Sequence, residues 1–287
     1  MIQKDNNGFD ILKNGDWGDF LVIKEIGLNR YVDYYTKGKF NKITINSFLG
    51  YQSKNIDFIY EIKDSILGLL IANEGTNINP VNSLRELRYL GLPSKIDGII
   101  DFNNLTKLSK LAMTYSQGTQ NFENCKSLQT LILSSYNTKL QNLSKISKLL
   151  NLRELHLFGG NVNSLNGVEL LPSLNKLILY KQKTLNNIKN LAKCHSIAEV
   201  HIDSCKSIDD LDALGELPHL EKLIIVNCGK INSVSFIKKL PLKFISVINT
   251  TIEDCDTSHF IGIDYVAFDS KQNYSHSLED VRAKSKR

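Results

Sequence analysis

The stretch that most limits how this chain can fold is Leu152–Leu157, Leu-Arg-Glu-Leu-His-Leu, followed by Phe158–Gly159–Gly160–Asn161 and then by Val162, Leu165 and Val168. Leu152, Leu155 and Leu157 define a template: apolar, two free, apolar, one free, apolar. It occurs earlier at Ile66/Leu69/Ile71, Leu87/Leu90/Leu92, Leu108/Leu111/Met113 and Leu128/Leu131/Leu133. It occurs later at Leu174/Leu177/Leu179, Ile197/Val200/Ile202, Leu220/Leu223/Ile225, Leu242/Ile245/Val247 and Ile263/Val266/Phe268. From Ile66 to Ile263 the steps are 20 to 24 residues, and a weaker copy sits at Phe40/Ile43/Ile45. Self-similarity at this period is the mark of a solenoid.

Apolar residues at alternate positions, such as Leu155 and Leu157, put two side chains on one face of a strand. The later part of each unit changes to a spacing of three, as in Ile231, Val234, Ile237 and Leu240. The same spacing runs through Ile208, Leu211, Leu214 and Leu217, and through Ile96, Ile99, Phe102 and Leu105. A period near three suits a short 3₁₀ or α turn. Each unit is therefore read as a strand, a bend and a helical return. No unit buries its leucines alone; stacking builds one continuous core.

These repeats resemble the leucine-rich-repeat family, in its 22-residue bacterial, internalin-like class, over Phe40 to about Phe268. The resemblance implies an α/β solenoid, a leucine-rich-repeat horseshoe. It would have a curved parallel β-sheet on the concave side and 3₁₀ or short α turns on the convex side. One feature departs from the family. The slot three residues after the last strand leucine usually holds Asn, or sometimes Cys or Thr. Here it holds Glu74, Lys95, Ser116, Tyr136, Gly160, Gln182, Cys205, Cys228, Thr250 and Lys271. The usual asparagine ladder is mostly missing from its slot.

Four segments are expected. Residues 1–16 are polar and read as a loose lead-in. Residues 17–39 read as an N-terminal β cap, with strands at Phe20–Ile26 and Tyr31–Thr36 and a turn at Lys37–Gly38–Lys39. This ribbon would cover the edge of the first parallel strand, which would otherwise invite pairing; an amphipathic cap helix is the alternative. Residues 40–273 form the solenoid, about 10–11 repeats. Its longest step contains Leu140, Leu143, Ile146 and Leu149, which makes Lys139–Leu150 the best candidate for a full α-helix. Residues 274–287 read as a short closing helix, from Ser277, Leu278 and Val281, with a basic tail, Lys284–Ser285–Lys286–Arg287.

Hydrophobic residues make up 42% of the chain, ample for a continuous core, and the net charge of +5 is too modest to argue for nucleic acid. The first residues lack the basic stretch and apolar run of a secretory signal, and no apolar run is long enough to span a bilayer. Five cysteines form an odd count without metal spacing. Together these lead to the expectation of a cytoplasmic, reducing setting without membrane contact.

In such a solenoid the free positions of each strand line the concave side. Strands about 4.8 Å apart would give a face on the order of 50 Å long, which suits a protein better than a small molecule. One column carries His156, Ile178 and His201, and the next Phe158, Tyr180 and Asp203, with Tyr115 nearby. An apolar and aromatic centre ringed by Arg153, Glu154, Lys176, Lys181, Glu199, Glu221 and Lys222 is how binding patches are built. The candidate partner-binding residues are Tyr115, His156, Phe158, Ile178, Tyr180, His201 and Asp203.

Catalysis, cofactors and metals are not expected. His156 and His201 are two repeats apart, about 10 Å by strand spacing, too far to share one zinc. A pair of His201 with Asp203 lacks a nucleophile. No phosphate loop, dinucleotide fingerprint or nucleophile elbow is present. Cys205 and Cys228 occupy consecutive bend slots and are read as buried thiols, with a disulfide as the alternative in an oxidising compartment. Cys125 and Cys194 are read as core fillers, while Cys255 has no evident partner. The leading expectation is a non-enzymatic, monomeric protein-binding module, by analogy a bacterial inhibitor, immunity protein or adaptor. An extracellular adhesin and a polyanion or nucleic-acid binder are the alternatives. Glu154, Glu199, Asp203 and Glu221 interrupt the basic stripe that the last would need.

Overall fold

Period-two spacing sends alternate side chains to opposite faces of a strand, and each repeat strand obeys it: in Lys176–Tyr180 the two leucines are buried and their neighbours half-exposed. The computed structural model describes residues 1–285 and falls into two units, Met1–Leu131 and Ile132–Arg287. In both, stacked repeats form a leucine-rich-repeat solenoid of short parallel strands returned by 3₁₀ turns.

In the first unit, β1 (Ile2–Lys4) pairs antiparallel with β2 (Asp10–Asn14), and β2 antiparallel with β3 (Gly18–Ile23). From β3 the ladder turns parallel, through β4 (Lys42–Ile45) and β5 (Gly68–Ile71). After a two-residue strand β6 (Thr76–Asn77), the ladder continues from β5 to β7 (Tyr89–Gly91). A second short strand, β8 (Ile96–Asp97), pairs with β6, and β9 (Lys110–Thr114) pairs with β7.

Two expectations fail in this unit. The polar lead-in is not loose, because its first residues build the antiparallel pair β1–β2. Phe9 and Ile11 anchor that pair by burial. Tyr31–Thr36 is not a strand, because Leu28–Tyr34 forms a helix, α1. Tyr31 and Tyr34 are three residues apart, so both reach Phe9 from one helical face. Tyr34 stacks on Phe9 at 3.9 Å and Tyr31 meets it edge-on at 5.2 Å. Aromatic β-propensity reflects packing context, and here the context is one Phe ring. The turn expected at Lys37–Gly38–Lys39 falls inside a π-helical segment, Tyr35–Lys39, that continues α1 and is broken at Gly38, φ 79°.

A single helical turn, α2 (Ile59–Ile62), fills the return between β4 and β5. The second unit stacks β10 (Thr130–Tyr136), β11 (Glu154–Gly160), β12 (Lys176–Tyr180), β13 (Glu199–Asp203), β14 (Lys222–Ile231), β15 (Phe244–Ile252) and β16 (Tyr265–Phe268). From β11 onward each strand pairs parallel with the next. Leu155, Leu177, Val200, Leu223, Ile245 and Val266 are therefore in one register. Most template residues are buried; Leu92 and Ile263 are half-exposed.

Lys139–Leu150 is not an α-helix; only Ile146–Lys148 is helical, and that is a 3₁₀ turn. Leu143, Ile146 and Leu149 are buried at a spacing of three, whereas Leu140 is 69% exposed. A 3₁₀ turn eclipses residues three apart and rises faster per residue, so it aligns those three in one row. The closing helix α3 (Leu278–Ser285) starts with a reciprocal cap. The Ser277 amide donates to Asp280 at 2.9 Å and the Asp280 amide to Ser277 Oγ at 3.1 Å. Arg282 then donates to the carbonyl of Val266 at 3.0 Å and covers part of the last strand. Lys286 and Arg287 of the expected tail lie outside the described residues.

The missing asparagine ladder is replaced piecemeal. Gln182 is buried, and its amide donates to the carbonyls of Leu157, Gly159 and Tyr180. Asn73 and Asn161, each one residue off the slot, do the same for neighbouring bends. Asn73 donates to Tyr51 at 2.7 Å, and Asn161 donates to Thr138 and accepts from its amide. Thr250 accepts from the Cys228 amide at 3.1 Å and donates to Ile248. What the bend requires is a buried partner for main-chain groups, and several side chains meet that need.

Candidate functional site

In the second unit the free strand positions form a continuous half-exposed face. Strand pairing sets His156, Ile178, His201, Ile224, Ser246 and Ala267 side by side. The next column is Phe158, Tyr180, Asp203, Val226 and Ile248. Six of the seven candidate residues are thus brought together on β11, β12 and β13. The rings of His156 and Phe158 lie 6.4 Å apart, those of Phe158 and Tyr180 5.7 Å, and the Lys181 ammonium is 4.9 Å from the Tyr180 ring. Tyr115 belongs to the first unit, where it follows β9 and its ring meets buried Phe122 edge-on at 6.2 Å.

A third column runs beside them: Glu154, Lys176, Glu199, Lys222, Phe244 and Tyr265. Glu199 takes Lys176 at 3.3 Å and Lys222 at 3.2 Å. Burial raises the Glu199 carboxyl, but the two lysines outweigh it and hold it below its ordinary value. Partly exposed pairs of this kind contribute at most about 1 kcal/mol each; their effect is to neutralise the charge of this column. Beyond them Lys222 lies over Phe244 at 5.6 Å, and Phe244 stacks on Tyr265 at 4.3 Å with planes 6° apart. Tyr265 is 48% exposed. The alternation that marked Lys176 also marks Phe244 and Tyr265, so the signal for them was in the sequence.

Both histidines are pushed below their ordinary value by burial, with Glu154 opposing at His156 and Asp203 and Glu199 opposing at His201. The Asp203 carboxylate accepts from Ser204 Oγ at 2.7 Å and Asn227 at 3.2 Å rather than from His201. Asn227 in turn accepts from Asn249 at 3.1 Å. Ser204, Asn227 and Asn249 all have positive φ; Ser204 ends β13, while Asn227 and Asn249 kink β14 and β15 where their pairing shifts register. Asp203 is therefore held by the rim.

Cys125, Cys194, Cys205 and Cys228 are buried and free, and Cys255 is half-buried. Burial pushes the Cys205 thiol up to about 12 and raises Cys228 as well. Their sulfurs lie 3.6 Å from the carbonyls of Leu179 and Ile202. Among the described residues no group of three or more His, Cys, Asp and Glu is arranged to hold a metal ion, and no helix is long and apolar enough to cross a membrane.

Parallel strands, 3₁₀ returns and one buried apolar ladder define the fold as that of the leucine-rich-repeat proteins, in its internalin-like form. Solved structures agree. The chain is similar to internalin C2 of Listeria monocytogenes, with TM-score 0.52, 24% identity, and coverage of 64% of this chain and 81% of that one. It is similar to a second Listeria monocytogenes internalin, with TM-score 0.58, 16% identity, and coverage of 89% and 82%. It is also similar to a leucine-rich-repeat protein of Leptospira interrogans, with TM-score 0.51, 17% identity, and coverage of 77% and 64%. By sequence, no family model and no curated protein matches the chain.

Proposed function

We propose that this chain is a non-enzymatic protein-binding scaffold whose partner seats on the sheet face of the second unit. The observation that carries this reading is the registered cluster of His156, Phe158, Ile178, Tyr180 and His201 on three adjacent strands. Apolar and aromatic groups there stand half-exposed on a backbone that parallel pairing holds in place, beside a column whose charges are already paired. A partner that covers them removes apolar surface from water without having to neutralise the face first.

The same pairing weighs against a polyanion ligand, since Glu199 engages both Lys176 and Lys222. Within this reading the protein is a monomeric inhibitor, immunity protein or adaptor of a bacterial cytoplasm. The free buried thiols support a reducing setting. The test is capture from native lysate on the immobilised full chain, with partners identified by mass spectrometry. A partner held by the wild type and by Lys239→Ala on the return side, but lost with Tyr180→Ala and Phe158→Ala, supports the reading. A partner lost only with Lys239→Ala places binding elsewhere.

A further inference from the structure

The sheet face of the first unit is already occupied. Here the column that carries Lys176 and Glu199 in the second unit reads Lys42, Gly68, Tyr89 and Lys110. The 3₁₀ turn Gly15–Trp17, which joins β2 to β3, lies across it. The Lys42 ammonium donates to the carbonyl of Trp17 at 2.7 Å, and the Lys110 ammonium to that of Asp16 at 2.9 Å. Between them the Tyr89 ring takes both cations, Lys42 at 4.2 Å and Lys110 at 5.8 Å, and lies 6.4 Å from the Trp17 indole.

Two glycines shape this seat. A Cβ at Gly68 would come within 2.7 Å of Lys42 Cγ, so the bare backbone leaves the lysine its path toward Tyr89. A Cβ at Gly91 would crowd a Leu70 methyl at 2.6 Å and would stand at ordinary contact distance, 3.9 Å, from Trp17 Cζ3, so the indole edge lies over the bare backbone of residue 91. The occupant is tethered through glycines at both ends, Gly15 with φ 30° and Gly18 with φ 76°. Both lysine ammonium groups give these bonds to neutral main-chain carbonyls. A carboxylate in the same place would be the stronger acceptor.

We propose that the face of the first unit is a second recognition site, filled in cis by the chain's own Asp16–Trp17 turn and open to a partner peptide that presents an aromatic side chain beside a carboxylate. The aromatic group takes the place over Gly91, and the carboxylate takes the ammonium groups of Lys42 and Lys110 from the turn. The cis segment acts at the millimolar effective concentration typical of a short tether, so a competing peptide must bind its seat better than the turn does. This site rests on the first unit alone and stands or falls separately from the face carrying Tyr180.

Trp17 is the single tryptophan of the sequence, which makes the test direct. The full-length Trp17→Ala chain is titrated with a synthetic peptide of the sequence of residues 13–20, whose indole is then the only one in the sample. Saturable blue-shifted emission is expected, weakened about tenfold by Lys42→Met with Lys110→Met, and weaker again for the wild type, whose seat is filled. No saturation up to millimolar peptide, or equal binding by the wild type, overturns the proposal. Should Trp17→Ala fail to fold, Lys110→Met with Trp17 retained is measured instead. Its indole emission should shift to the red and its acrylamide quenching should rise while far-ultraviolet circular dichroism stays unchanged. An unaltered indole overturns the proposal.

Discussion

The rings of Phe158 and Tyr180 lie 5.7 Å apart on neighbouring strands, opposite one another in the parallel register. Both are half-exposed, while Leu177, three residues before Tyr180, is fully buried. The two sides of one strand therefore separate recognition from stability. Tyr180→Ala should lower unfolding stability by no more than about 1 kcal/mol while weakening partner binding by about 2 kcal/mol. Leu177→Asp buries an unpaired carboxylate and should lose at least about 4 kcal/mol. Urea unfolding of both variants checks this; equal losses would contradict the assignment of faces.

Adjacent glycines in the β11 bend should respond differently. A Cβ on Gly160 would stand 2.6 Å from the Tyr136 carbonyl oxygen at φ 122°, whereas one on Gly159 meets nothing within 4 Å at φ 67°. Gly159→Ala adds only left-handed strain and should cost about 1 kcal/mol. Gly160→Ala adds a backbone clash and should cost about 3 kcal/mol or more. Thermal melts of the pair give the comparison.

Gln182 supplies amide hydrogens to three main-chain carbonyls from a fully buried position. Gln182→Leu removes a buried donor from those carbonyls and should cost about 1–3 kcal/mol. Gln182→Glu should be worse at neutral pH than at pH 4, because only a protonated carboxyl can donate to a carbonyl. Denaturation midpoints at the two pH values distinguish this from a pure packing effect, which would be the same at both.

Acid should act in two windows. His156 and His201 are held below their ordinary value of 6.5 by burial, so the unfolded chain takes up protons first. Their effect is absent above that pH, and stability falls as pH drops below about 6.5 toward the folded values. Glu199, held below its ordinary 4.5, adds a second loss as pH falls below that value. Replacing both histidines with glutamine should flatten the first slope and leave the second. A stability profile against pH from about 2.5 to 8 reads both windows.

Thiol reactivity should be uneven. Cys205 is pushed to about 12 by burial, Cys125 and Cys194 likewise, and Cys228 upward, while only Cys255 has appreciable exposure. Native protein should therefore react rapidly at one thiol with an aromatic disulfide reagent and at all five in denaturant. Fewer than five in non-reducing denaturant would reveal a disulfide, and pairing of Cys205 with Cys228 would favour an exported protein.

Much of this protein was legible in its residues, because a period of two within strands and about 22 between them is local information. Leu155, Leu177 and Val200 had to share a register once their repeats stacked, and His156, Ile178 and His201 came with them on the other face. Phe244 and Tyr265 followed the same rule and were readable. Contacts between segments far apart in the chain were not. Phe9 turned Tyr31 and Tyr34 into one face of a helix, and burial of Leu143, Ile146 and Leu149 in one row chose a 3₁₀ turn over an α-helix. Lys110 reaches a carbonyl ninety-four residues away at Asp16, which no periodicity encodes. The ladder follows from the residues alone, since each repeat makes the same local demand for burial. Which stretches of its face stay free is set by long-range contacts, because that depends on what the folded chain lays across it.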